Sequence, residues 1–332
     1  MTYISGGLIQ ATDYNTFVAT GSPNINNIWS AGSSDSGWGQ TAISQVSIGD
    51  TVTATQWATL VNRLSSMGSH TGTTITSRTA PVVGDTISVL ANVATDISSV
   101  NTRRGFAAAS GTTSSTWTGS TAKTTATGSG NASWSITWTH TVTFGSADQA
   151  RYFWNAGGLV RLDMGKSSTG TDKDPDWNTF SGTVGALVMS GRVAGAAQTI
   201  AGTSYTGFTR IGGSGTPTTN ASTTGWYSLT GGAAATTMFL LYNATAPYSG
   251  DYVQVQAAVN AGRTVLTLTT TWYSAGLAGA GQTNNISGGT DTASPYSGTP
   301  GTAPYVLCRF VPPSTTYLTN SWGTPTVAAS VA

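Results

Sequence analysis

In the stretch WSITWTHTVTF, residues 134–144, apolar and polar positions alternate strictly: Trp134, Ile136, Trp138, His140, Val142 and Phe144 share one face, and Ser or Thr fills the other. A period of two with one polar face is the pattern of a half-buried strand. GTVGALVMSGRVAG, TTMFLLYN, DYVQVQAAV and TVLTLTTTWYSAG follow, each bounded by Gly, Pro, Asn or Asp turns. Strands this dense, with few helical stretches between them, predict a sandwich or jelly-roll-like β-rich outer domain over residues 134–332.

Residues 1–106 carry a different period. GGLIQATDYNTFV (6–18) and GDTVTATQWATLV (49–61) align without a gap, matching Gly6 with Gly49, Ala11 with Ala54, Tyr14 with Trp57, Phe17 with Leu60 and Val18 with Val61. This is an internal repeat of a strand-turn-helix phrase. In the second copy Trp57, Leu60, Val61, Leu64 and Met67 recur at helical spacing, behind a cap at Ala54-Thr55 and before a stop at Gly68. The first copy ends early, at Gly21-Ser22-Pro23. A third helix is predicted over 85–104, with Asp85 as cap, Ile87, Leu90, Ala94 and Ile97 as its stripe, and Gly105 as terminator. Amphipathic stripes need partners, so these helices form a small N-terminal docking unit; three separate surface helices are the alternative. Residues 107–133 are a Ser/Thr/Gly-rich linker, or a Thr-rich β edge that orders on assembly. The fold class is mainly β with a small helical N-terminal unit, α+β by segregation.

SADQARYFWNAGG, residues 146–158, interrupts the β text. Ser146 suits a cap, residues 147–155 make two helical turns, and Gly157-Gly158 close them in a left-handed conformation. With Phe144, Ala150 and Phe153 facing one way, the helix lies across the end of a sheet as a plug. Tyr152, Phe153 and Trp154 are consecutive and cannot all point inward. At least one meets another segment, another subunit or solvent, which makes Tyr152, Phe153 and Trp154, together with Trp57 and Trp38, interface candidates.

Composition narrows the function classes. Charged residues are 8% of the 332, the formal net charge is +1, and no glutamate occurs. Ordinary domains carry charge at about a quarter of their positions, so hydroxyls and amides wet this surface. Scattered basic residues offer no footprint for a nucleic-acid backbone. MFLLY at 238–242 is far short of the ~20 residues that span a bilayer, and the N-terminus has no signal-peptide pattern. No membrane and no nucleic acid are therefore expected. The lone Cys308 fits folding in a reducing cytoplasm. Sheet edges with so few charges tend to stick to one another.

Catalytic and metal constellations are thin. His70 and His140 are the only histidines; they read as a turn residue and a core residue rather than as members of a triad. All twelve acidic residues are Asp, and several sit in turns or caps, so a depolymerase with paired carboxylates is the least favoured function. Asp172, Asp174 and Asp176 alternate in TDKDPDWN like the start of a calcium loop. Trp177 then stands where glycine is required and Thr183 where glutamate is required, so the stretch reads as a solvated acidic turn. RIGGSGTP lacks the GK[ST] ending of a phosphate loop. No cofactor is expected. Turn-proximal Trp226, Tyr227, Trp272 and Tyr273 are candidates for stacking on host-surface glycan, with core or interface packing the competing reading.

DSGWGQ at 35–40, GDTVTATQWATLVNRL at 49–64 and ARYFWNAGG at 150–158, in that order, resemble the virion structural proteins of tailed bacteriophages, especially cyanobacterial ones. Those proteins place a helical N-terminal segment before a β-rich part containing a similar ARYFFNAGG phrase; this chain has Trp154 in place of the second Phe. The resemblance implies a non-enzymatic tail, neck or fibre component made in the bacterial cytoplasm and located in the virion. Its implied partners are other virion proteins and copies of itself, a trimer by fibre analogy. A receptor-binding module contacting host glycan is the alternative. The family supplies no functional residues to carry over.

Overall fold

Both copies of the repeated phrase begin a helix at the aligned alanine in the computed structural model, which describes residues 10–85, 92–108, 118–119, 133–166, 173–191, 198–246, 248–275 and 304–332. The first, α1 (Ala11–Asn15), passes into a π turn over Thr16–Thr20 and stops at Gly21. Next comes α2 (Ile25–Trp29), capped by the Asn24 side chain, which accepts from the Asn27 N–H at 2.9 Å. The second copy is α3 (Ala54–Thr71). Its cap is Thr53, not Ala54-Thr55: Thr53 Oγ1 accepts from the Gln56 N–H, and Gln56 Oε1 accepts from the Thr53 N–H. The helix also runs past Gly68 to Gly72, which is left-handed at φ 60°. An interior glycine costs roughly 1 kcal/mol, and burying His70 and Thr71 in the turn beyond it outweighs that.

The third helix, α4 (Val93–Thr102), is shorter than the sequence suggests. Asn92 at φ 65° precedes it, while Asp85 instead accepts from the Val82 N–H to close a turn. Ile87 and Leu90 lie outside the described residues. The buried stripe is Val93, Ile97 and Val100 beside Asp96, and Ala94 is exposed. Tyr14 and Trp57, equivalent in the repeat, pack edge to face at 5.7 Å, and Phe17 meets Trp57 at 6.2 Å. The two copies thus bury the same positions against each other.

The other elements, in chain order, are β1 (Phe106–Ala107), β2 (Thr118–Gly119), β3 (Trp134–Thr143), α5 (Ala147–Asn155), β4 (Leu159–Gly165), α6 (Lys173–Val184), β5 (Ala186–Met189), β6 (Gln198–Ile200), β7 (Thr203–Tyr205), β8 (Phe208–Ile211), β9 (Thr219–Asn220), β10 (Thr236–Tyr242), β11 (Tyr252–Val259), β12 (Val265–Ser274), β13 (Tyr305–Val311) and β14 (Thr326–Val331). They form a six-stranded sheet in the order β14-β3-β12-β11-β10-β9, a five-stranded sheet β2-β13-β4-β5-β8, and a small sheet β1-β6-β7. The two larger sheets are antiparallel; β1 joins β6 in parallel. Inward residues of both larger sheets and the helical stripes belong to one hydrophobic cluster. The fold is mainly β and sandwich-like, with a small N-terminal helical unit.

The described part of TDKDPDWN, from Lys173 onward, opens α6 rather than forming an acidic turn. Trp177, Phe180 and Val184, all buried, recur at i, i+3 and i+7, and Pro175 is tolerated in a first helical turn. Trp177 then stacks on Trp272 at 5.0 Å and 10°, and Trp272 meets Trp138 at 5.3 Å. The plug helix α5 has the expected bounds: Ser146 Oγ accepts from the Gln149 N–H at 3.1 Å, and Gly157 ends it at φ 105°. Phe153 touches Phe144 at the end of β3 (5.2 Å) and Phe310 of β13 (6.4 Å), bridging both sheets.

Candidate functional site

Three consecutive aromatics of α5 are placed by a second segment of the same chain. Phe153 and Trp154 are buried, the latter stacked on Trp226 at 5.5 Å. Tyr152 turns the other way, onto Gly39 (φ 69°), where a Cβ would lie 2.3 Å from the ring. Around it, Arg151 donates to the Ala31 and Ser36 carbonyls. Asn155 donates to the Ser34 and Gly37 carbonyls at 3.2 and 3.0 Å and accepts from the Tyr227 hydroxyl at 2.7 Å. The same N-terminal loop sends Gln40 toward the C-terminal segment, donating to the Thr319 carbonyl (2.9 Å) and accepting from its N–H (2.8 Å). Trp38 packs on His70 of α3 at 4.9 Å, and His70 Nε2 donates to the Ala156 carbonyl at 3.2 Å. DSGWGQ, the end of α3 and ARYFWNAGG therefore meet at one junction between the helical unit and the sandwich.

That junction corrects the interface assignments. Phe153, Trp154, Trp57 and Trp38 are 0–1% exposed, so they hold this chain together and present no area to a neighbour; Tyr152 is half-buried against the loop. Trp226 and Trp272 are likewise interior, at 1% and 0%, and cannot stack on a glycan. Tyr227 is half-buried with its hydroxyl committed to Asn155. Of the four glycan candidates, Tyr273 stands on an outward face.

Several titratable groups are buried or held by partners within the fold. Burial pushes His70 and His140 down to about 4, opposed by the Ala156 carbonyl at His70 and the Val306 carbonyl at His140. Burial pushes the Cys308 thiol up, with Asp163 adding to it. Asp35, Asp96, Asp148 and Asp163 pair with Arg104, Arg78, Arg151 and Arg161 at 2.9, 2.6, 3.0 and 2.6 Å. Asp251 accepts from Ser274 and from the Ala275 N–H, both at 3.1 Å. Asp172 lies outside the described residues, as does the Asp174 side chain; Asp176 accepts from Asn243 Nδ2 at 2.5 Å. Among the described residues no three His, Cys or Asp side chains gather as a metal would need. The glycine loop of RIGGSGTP turns carbonyls inward onto Arg210, with Gly215 O at 2.9 Å from Nη1. A phosphate cradle needs N–H groups there, so the polarity is reversed.

What the molecule shows outward is different. The solvent face of the six-stranded sheet presents Thr137, Thr139 and Thr141 from β3, Thr267, Thr269 and Thr271 from β12, Gln254 and Gln256 from β11, and Ala328 and Ser330 from β14. No outward position of β3, β10, β11, β12 or β14 carries a charged side chain. At one end Tyr242, Tyr252 and Tyr273 stand opposite one another across three strands. Tyr252 and Tyr273 stack at 4.8 Å and 22°, and Tyr242 abuts Tyr252 at 5.5 Å and 63°. Burial, then the neighbouring Tyr273 and Tyr242, pushes the Tyr252 phenol up. This uncharged face was written in the Ser/Thr half of each alternating strand. A separate groove of about 220 Å³ between the five-stranded sheet and the β6–β7 hairpin is lined by Leu159, Val188 and Ile200 together with Arg161 and Arg309.

Comparison with family models, with curated proteins and with solved structures returns no match.

Proposed function

We propose that this chain is a structural component of a tailed-phage virion, acting by assembly with copies of itself and by docking to other virion proteins. The observation that carries the reading is the outward face of the six-stranded sheet, free of charge across β3, β10, β11, β12 and β14. A surface of that kind has no electrostatic barrier to close approach of an identical face, and interface centres are depleted in charge. The order of the three phrases shared with phage structural proteins points the same way. Docking falls to the helical unit: the three most exposed large apolar side chains among the described residues, Val83 (91%), Ile48 (85%) and Val82 (65%), all belong to it. The test is the solution mass of the intact chain by light scattering over a range of concentrations. A homo-oligomer is expected, and a monomer throughout refutes self-assembly.

One observation favours receptor binding as a second reading: the Tyr242, Tyr252 and Tyr273 ladder on the open face. Binding on a glycan array that disappears in Tyr273→Ala while the fold is retained would support it, and an array without signal would remove it.

A further inference from the structure

The outermost strand of the six-stranded sheet is β14, which pairs with β3 on one side. The phase of its hydrogen bonding follows from the pair at its end. Ala332 donates to the Thr137 carbonyl at 2.9 Å and accepts from the Thr137 N–H at 3.0 Å. In an antiparallel ladder, pairs that exchange both bonds alternate with pairs that exchange none. Ser330, Ala328 and Thr326 therefore bond to β3 opposite Thr139, Thr141 and Thr143. The far side of β3 agrees, because Phe144 bonds to the Thr264 carbonyl at 2.8 Å, which puts the even-numbered positions of β3 toward β12.

Val327, Ala329 and Val331 are left with their N–H and C=O groups aimed away from the sheet. No group bonds to these backbone atoms among the described residues. Natural edges of this length are usually blunted by a charge, a proline or a bulge. Here the strand is TVAASV; Pro325 stands just before it, but the strand itself holds neither charge nor proline, and its register with β3 is unbroken. The other end of the sheet is the two-residue β9.

We infer that β14 is a self-complementary edge, joining antiparallel to β14 of a second copy about a two-fold axis through Ala329. This rests on the self-assembly reading and names the surface that performs it. In that register Ala329 faces its own equivalent, and Val327 faces the partner's Val331. With the symmetry-related pair of Val331 and the partner's Val327 there are three such pairs, each exchanging two backbone bonds, so every outward N–H and C=O on both strands finds a partner. The intervening pairs set Ala328 against the partner's Ser330, both small and exposed, so these side chains bring neither bulk nor charge against one another; β2 of the second sheet, which lies next to β14, leaves the outward backbone groups of β14 without a bond among the described residues. The two uncharged faces merge into one continuous sheet. The contact is isologous and closes at two copies, unlike the trimer that fibre analogy suggests. An extended strand from a different protein would use the same backbone groups, but the edge is already matched by its own sequence.

The test is a pair of double variants of the intact chain, both altered at exposed, outward-facing positions. Ala328→Lys with Ser330→Lys sets lysine against lysine across the two-fold axis. Ala328→Lys with Ser330→Glu sets lysine against glutamate at similar bulk. Light scattering is run at equal concentrations, with circular dichroism and thermal melting to confirm that each variant is folded. Wild type and the Lys/Glu variant are expected at twice the mass of the Lys/Lys variant. A Lys/Lys variant that keeps the wild-type mass overturns the edge while leaving self-assembly standing, as does a wild-type trimer. A wild-type monomer at every concentration overturns both.

Discussion

Asn155 is the side chain on which the junction can be tested most directly. Replacing it with alanine removes two donated hydrogen bonds, to the Ser34 and Gly37 carbonyls, and one accepted from Tyr227. Each such bond contributes about 1 kcal/mol net, and a buried group left without a partner costs a further 1–3 kcal/mol or so. Ser34 is exposed and its carbonyl can turn to water, whereas Gly37 is buried. Tyr227 retains a longer contact to the Arg151 carbonyl at 3.4 Å. The expected loss is therefore about 3–4 kcal/mol, read from urea unfolding followed by tryptophan fluorescence. Tyr227→Phe should cost about 1 kcal/mol by itself and nearly nothing in the Asn155→Ala background, since its main partner is already gone. A loss below about 1 kcal/mol for Asn155→Ala, or strict additivity of the two changes, would refute the idea that this amide ties the N-terminal loop to the sandwich.

Gly39→Ala forces a left-handed residue to carry a Cβ 2.3 Å from the Tyr152 ring; a loss of about 2 kcal/mol or more is expected, partly recovered in Tyr152→Ala, by thermal melting. His70 and His140 are held near 4, below their ordinary 6.5, by burial. Their contribution is complete above pH 6.5 and is lost as pH falls toward 4, by about 3 kcal/mol each; His70→Gln, which cannot titrate, should flatten about half of that decline in unfolding measured from pH 7 to 4. Cys308 is fully buried with its thiol pKa raised, so maleimide labelling should track global unfolding, and labelling of the native protein would contradict its placement. Trp272→Ala opens a cavity between Trp138 and Trp177 and should cost about 3–5 kcal/mol, measured by the same urea titration.

Local chemistry was legible along the chain. The alternating face of β3 and the bounds and cap of α5 follow from residues within a dozen positions of one another; α5 stands as read, and so does the buried face of β3 from Ile136 to Phe144. The repeat foretold that Tyr14 and Trp57 are equivalent, though not that they touch. Trp272 was misplaced by its neighbourhood of turns and threonines; its parity with Leu266, Leu268 and Thr270, all buried, already put it inside, and Tyr273 outside. The start of α6 was hidden because carboxylate spacing drew attention from the Trp177, Phe180 and Val184 stripe. Trp226 had no local signal at all, since α5, some seventy residues earlier, is what covers it. The phase of the β14 edge is equally non-local, set by one reciprocal pair between Ala332 and Thr137.

The grip of Gln40 on Thr319 and Ser321 spans 279 and 281 residues of chain, and β14 reaches back to β3 across nearly two hundred. Closing loops of that size is slow, and the contacts that repay it come late. During synthesis the N-terminal unit leaves the ribosome with Gln40 and the flank of β3 still waiting for strands not yet made. The sandwich cannot close until the last of them emerges. The uncharged sheet face is thereby completed only once β14, the last strand of that sheet in chain order, has been made.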